Sequence, residues 1–97
     1  MSDLVSAKVI TVAEREVVVR ELKVADVRQM LACVSDDAVD SLLFEDLRLS
    51  DFPRMTSLTL EDVEQLRPSQ LQYVLGACRE MNPDFFEMLG RAKAATV

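Results

Sequence analysis

The stretch from Arg67 to Ala92, RPSQLQYVLGACREMNPDFFEMLGRA, constrains the fold more than any other part of the chain. Leu71, Val74, Leu75, Cys78 and Met81 recur at helical spacing and form one apolar stripe. Pro68 suits a first helical position, because its missing N–H would have no partner there anyway. Asn82-Pro83 ends this helix and opens another: the residue before a proline avoids helical φ and ψ, and Asn is a good cap. Phe85, Phe86, Met88, Leu89 and Ala92 carry the second helix toward the C-terminus. Two helices joined by so short a break fold against one another or present a joint apolar surface. No catalytic group lies in this stretch, which reads as a packing and partner-binding unit.

Upstream the pattern changes. Lys8–Val12 (KVITV) and Val17–Leu22 (VVVREL) are rich in β-branched residues, which are stiff at χ1 and suit a pleated surface. They predict a β-hairpin over 8–22 joined by Ala13–Glu16. That connection has no Gly or Asn, so a loop longer than a two-residue primed turn is expected. The competing reading is one helix from Val9 to Val34, and the Val17-Val18-Val19 triplet counts against it. A lone two-stranded hairpin is marginal in water, so it must dock on the helices or pair its edge with another chain.

Helical period begins at Val24, where Val24, Val27, Met30, Leu31 and Val34 share a face and predict a helix over 24–34. Residues 35–46 form an acidic connection, expected to be mobile, with Ser35 or Asp36 able to cap a short segment from Ala38 to Phe44. Ser50 is the expected cap of a short helix through Met55. Thr59 with Asp62 resembles a capping box for a helix whose apolar face is Leu60, Val63 and Leu66. A local layout recurs in Leu22-x-Val24-x-Asp26-Val27, Leu47-x-Leu49-x-Asp51-Phe52 and Leu58-x-Leu60-x-Asp62-Val63. It reads as an extended lead-in followed by a helix with an anion in its first turn, where the helix dipole favours negative charge by roughly 0.3–1 kcal/mol. Gly76 inside the long helix costs about 1 kcal/mol relative to Ala, and a close helix crossing with no room for a Cβ is the expected reason.

These segments describe a single domain over 1–97, α+β and mainly α: an N-terminal β-hairpin, then four to six helices, with the helical part spanning 50–92. The last two helices are its longest-range packing unit.

Composition narrows function. The chain has 97 residues, with 17 acidic side chains against 11 basic ones, no histidine and a net charge of −6. Phosphate backbones and anionic membrane surfaces repel such a chain. No run approaches the ~20 apolar residues of a membrane span. The start, MSDLVSAKV, lacks a basic region followed by an apolar run, so no secretory signal is expected. Cys33 and Cys78 sit in apolar helical patterns and read as buried, reduced thiols. No close cysteine pair or histidine offers a metal site, and no glycine-rich phosphate loop or nucleophile motif is present. No cofactor is expected, and the chain reads as a non-enzyme. Asp36, Asp37 and Asp40 lack the glycine and closing glutamate of a calcium loop. The candidate partner-binding residues are Phe85, Phe86, Met88 and Leu89, with Tyr73 on the preceding helix. Aromatics and adaptable Met are common at such surfaces, and a pliable apolar face suits a binder that must release its client.

Three stretches carry a resemblance: ITVAEREVVVRELKVADVRQML, LRLSDFPRMTSLTLEDVEQLRPSQLQYV and ACREMNPDFFEML. In these the chain resembles the short tail assembly chaperones of long-tailed bacteriophages. The resemblance implies a non-enzymatic protein of the infected host cytoplasm, absent from the finished virion. Its implied role is to coat the tape measure protein, keep its apolar helices soluble and recruit tail tube subunits. Self-association is a further expected interaction, since the hairpin edge must dock or pair with another chain. The alternative is a small acidic regulator or inhibitor of a host or phage protein, acting through Asp36, Asp37, Asp40, Glu45 and Asp46.

Overall fold

A computed structural model describes residues 7–32, 37–44 and 47–95, with side chains described as far as Arg91 apart from Ser41. The chain opens with an antiparallel hairpin, β1 (Ala7–Val12) and β2 (Arg15–Arg20). Six helices follow among the described residues: α1 (Val24–Ala32), α2 (Ala38–Leu42), α3 (Phe52–Met55), α4 (Leu60–Gln65), α5 (Pro68–Met81) and α6 (Pro83–Ala95). A 3-10 turn over Leu49–Asp51 leads into α3. The fold is therefore α+β and mainly α, as the sequence indicates.

The hairpin turn differs from the expected longer loop. Val12 pairs with Arg15, so only Ala13 and Glu14 remain in the turn, at φ 51° and 64°. Positive φ at both central residues is the mark of a type I′ turn, which normally takes Asn or Gly. Left-handed φ costs roughly 1–2 kcal/mol for each such residue. Against this stand Ile10, Val12, Val17 and Val19, all buried on one face of the hairpin, where full burial contributes ~1.5–3 kcal/mol each. The register that keeps all four inward leaves two residues for the turn, and burial outweighs the strain.

That inward face packs on α5. Leu71, Val74, Leu75 and Cys78 of the expected stripe are buried there, with Met81 half-buried. Phe52 and Met55 of α3, Val63 of α4 and Leu58 between the two helices complete the core beside the hairpin. Phe44 meets Phe52 edge-on, with ring centroids 6.0 Å apart. The outer edge of β2 is covered: Val18 O accepts from Ser57 N at 2.9 Å, and Val18 N donates to Ser57 Oγ at 3.0 Å.

The recurring aspartate layout has one physical meaning in all three copies. Asp26, Asp51 and Asp62 each accept a hydrogen bond from the backbone N–H three residues earlier: Lys23 at 3.2 Å, Arg48 at 3.1 Å and Thr59 at 3.0 Å. Each carboxylate thus satisfies a donor at the start of its helical turn. At Thr59 the box is complete, because Asp62 N donates to Thr59 Oγ1 at 3.1 Å. The Thr59 backbone bond, and then Arg15 beside it, hold the Asp62 carboxyl below its usual range.

Several local expectations need correction. Ser50 does not cap α3; its N and Oγ both donate to the Asp40 carboxylate, at 2.7 and 3.0 Å. Arg48 takes the cap position of the 3-10 turn. The cap of α2 is Asp37, which accepts from Val39 N and Asp40 N, and that helix ends at Leu42. Gly76 marks no close crossing: an added Cβ there would find nothing within 4 Å. The first helix ends at Ala32, and the expected continuation to Val34, Cys33 and the caps Ser35 and Asp36 lie outside the described residues.

Candidate partner-binding groove

The joint between α5 and α6 builds the site. Pro83 opens α6, and Asn82 before it is only 3% exposed. The Asn82 side chain does not cap α6. It clamps the chain leaving β2, accepting from Leu22 N at 2.7 Å and donating to Arg20 O at 3.0 Å and to Cys78 O at 3.1 Å. The clamp brings the start of α1 alongside α6, and a groove of about 400 Å³ runs between them.

One wall of the groove is Leu22, Val24 and Val27; the other is Phe85 and Met88. Val24 is 70% exposed, a large apolar side chain left in solvent at the groove margin. Glu21, Asp84 and Arg91 border the apolar strip with charge. The far end of α1 is tied by polar bonds: Arg48 Nη2 donates to Met30 O, and Arg54 Nη1 donates to Gln29 Oε1 at 2.8 Å. Met30 is the buried residue of α1.

The five sequence-predicted residues do not form one patch. Phe85 and Met88 line the groove together, Phe85 with 8% of its surface exposed. Phe86 packs edge-on against Phe85 at 5.2 Å, and its ring lies 5.7 Å from the Arg79 guanidinium. Leu89 is half-buried against the core. Tyr73 is exposed on α5 and lines a separate groove beside β1. The wall from Leu22, Val24 and Val27 was not among the predicted site residues. Its signal was present in the helical apolar stripe beginning at Val24, but periodicity marks a face without saying whether it is covered.

The acidic residues of the alternative reading are engaged in local structure where they are described. Asp37 caps α2 and Asp40 holds Ser50; Asp36, Glu45 and Asp46 lie outside the described residues. Cys78 is a free, buried thiol whose pKa is pushed up to about 12 by burial, which leaves it unreactive. Among the described residues no group of His, Cys, Asp or Glu side chains is placed to hold a metal ion, and no helix is long and apolar enough to cross a membrane.

No curated protein and no solved structure matches the chain. The family described as phage tail assembly chaperone proteins, E, or 41 or 14, matches residues 8–83, from the first strand to the proline that opens α6. With the hairpin, α5 and the connecting helices all inside that match, the chain belongs to the phage tail assembly chaperone family.

Proposed function

We propose that this chaperone receives apolar helical segments of the tape measure protein in the groove between α1 and α6, keeps that protein soluble, and recruits tail tube subunits around it. The observation that carries the reading is the open apolar strip of Val24, Val27, Phe85 and Met88, bordered by charge. An amphipathic helix laid in such a groove inserts side chains at i, i+3 or i+4, and i+7. Methionine at the contact lets one groove accommodate successive, different segments of a long client. The net charge of −6 keeps a loaded complex from associating with its neighbours. The protein acts without catalysis, in the host cell cytoplasm, and leaves before the virion is complete.

Co-expression with the tape measure protein of the same phage tests this. Wild-type chaperone keeps the client in the soluble fraction and co-purifies with it. Val24→Asp and Met88→Asp place a carboxylate in the strip and abolish capture while circular dichroism and thermal midpoint stay near wild type. Undiminished capture by both folded variants, or no capture by wild type, overturns the assignment of the groove.

A further inference from the structure

The two edges of the hairpin are treated differently. The edge of β2 is closed by Ser57, whereas nothing among the described residues pairs with the edge of β1. In an antiparallel ladder with a two-residue turn, the pair flanking the turn is hydrogen-bonded and such pairs then alternate. Val12, Ile10 and Lys8 therefore direct their backbone groups at β2, and Ala7, Val9 and Thr11 direct theirs outward. An edge of this kind is a template for another strand unless proline, a bulge or a charged side chain, lysine above all, blunts it; the one charge on β1, Lys8, is drawn onto Glu80 of α5 at 2.7 Å. The β1 register is unbroken and contains no proline. Beside it lies a groove of about 630 Å³ between β1 and α5, where Gly76 leaves the floor open.

We propose that β1 pairs antiparallel with β1 of a second copy, about a two-fold axis at Val9, to give a continuous four-stranded sheet. The face is self-complementary in two ways. In this register Val9 meets the partner's Val9, and Ala7 meets the partner's Thr11, so every outward backbone group finds a partner. Val18 lies opposite Val9 within each hairpin, so the outer face gains one apolar row of Val18, Val9 and their two counterparts; Val9 is 57% exposed in the single chain. A shift of two residues loses the valine row.

The charge balance also favours a second copy at this face. Two chains of net charge −6 repel one another over most of their surfaces. The hairpin itself carries three basic and two acidic side chains, and the charged residues of the groove, Lys8 and Glu80, form an ion pair at 2.7 Å. In this register the two Lys8 side chains are diagonal neighbours across the axis, and each is neutralised by the Glu80 of its own copy.

Cysteine cross-linking in a Cys33→Ser background tests the register, because Cys78 is buried. Hydrogen-bonded antiparallel partners have Cα atoms about 5.5 Å apart, within disulfide range. Val9→Cys should cross-link to itself readily, Thr11→Cys alone should not, and a mixture of Ala7→Cys with Thr11→Cys should. By sedimentation the wild type should have twice its 10.9 kDa chain mass, and Val9→Pro, which removes only an outward N–H, should have the single-chain mass with unchanged circular dichroism. Val9→Lys, setting two ammonium groups at the axis, should do the same and serves if the proline variant does not fold. A monomeric wild type at every soluble concentration overturns the proposal. So does a dimer that survives both substitutions, or self-cross-linking of Thr11→Cys as fast as Val9→Cys. Amide protection of Val9 and Thr11 that arises only when a tail protein is added would assign the edge to that partner instead and likewise overturn it. The proposal does not rest on the α1–α6 groove.

Discussion

Replacing Asn82 by alanine tests whether one side chain sets the geometry of the candidate site. Asn82 is 3% exposed and makes three side-chain hydrogen bonds, to Leu22 N, Arg20 O and Cys78 O. Cys78 O keeps the Asn82 backbone N–H at 2.9 Å after truncation, so that bond is the least costly to lose. Leu22 N and Arg20 O lose a partner in a half-buried setting. Each lost bond contributes about 0.5–1.5 kcal/mol net, and a buried group left unpaired about 1–3 kcal/mol. Partial access of water to the strand exit favours the lower end, giving a loss of about 3 kcal/mol. For a chain of this size that corresponds to a fall in thermal midpoint of roughly 12–24 °C, readable by circular dichroism, and in urea to a midpoint lowered by about 1–3 M. Because Leu22 and Asn82 also line the groove, client capture should weaken at temperatures where the variant is still folded. A loss below about 0.5 kcal/mol, smaller than one ordinary hydrogen bond, would refute the clamp.

Three further outcomes are expected. Substituting Ala13→Asn with Glu14→Gly relieves two positive-φ positions and should stabilise the hairpin by about 1–2 kcal/mol, less than twice the strain of one residue because glycine gives up more chain entropy on folding and asparagine is only partly relieved, seen as a higher thermal midpoint; a lower midpoint would mean that the turn is not of this type. Gly76→Ala meets nothing within 4 Å and should add about 1 kcal/mol of stability, measured by urea unfolding of the Val9→Pro variant to keep association out of the comparison. In a Cys33→Ser background Cys78 should resist alkylation in the native state and react on unfolding. Its pKa is raised from 9.0 to about 12 by burial, so the native state keeps the neutral thiol. The thiol's contribution to stability is full below pH 9 and is lost as pH rises from 9 toward 12, because only the unfolded chain ionises there. A Cys78→Ala variant should lack that component of the alkaline slope.

Much of the architecture was legible in the residue pattern, because the two longest segments announce themselves. The stripe from Leu71 to Cys78, bounded by Pro68 and Pro83, fixes α5 and the start of α6. The Thr59–Asp62 box fixes the start of α4. The turn at Ala13 was not legible, since local preference there opposes the observed conformation and distant burial decides. Ser50 misled for a related reason: a serine before an apolar run looks like a cap, but Asp40, ten residues earlier, claims its N–H and hydroxyl. At the candidate site the α6 wall could be read from Phe85 and Met88. The α1 wall could not, because the face bearing Val24 has the same period whether covered or open.

The tethering of α1 has a mechanical consequence. Its front is fastened through Leu22 to Asn82 and its rear through Met30 O to Arg48, while Met30 alone of its described side chains is sunk in the core. With Val27 also packed against the core, the helix is held along its length as well as at its ends. What stays adjustable on this wall is the side chain of Val24, which stands in solvent on a backbone that is tied down.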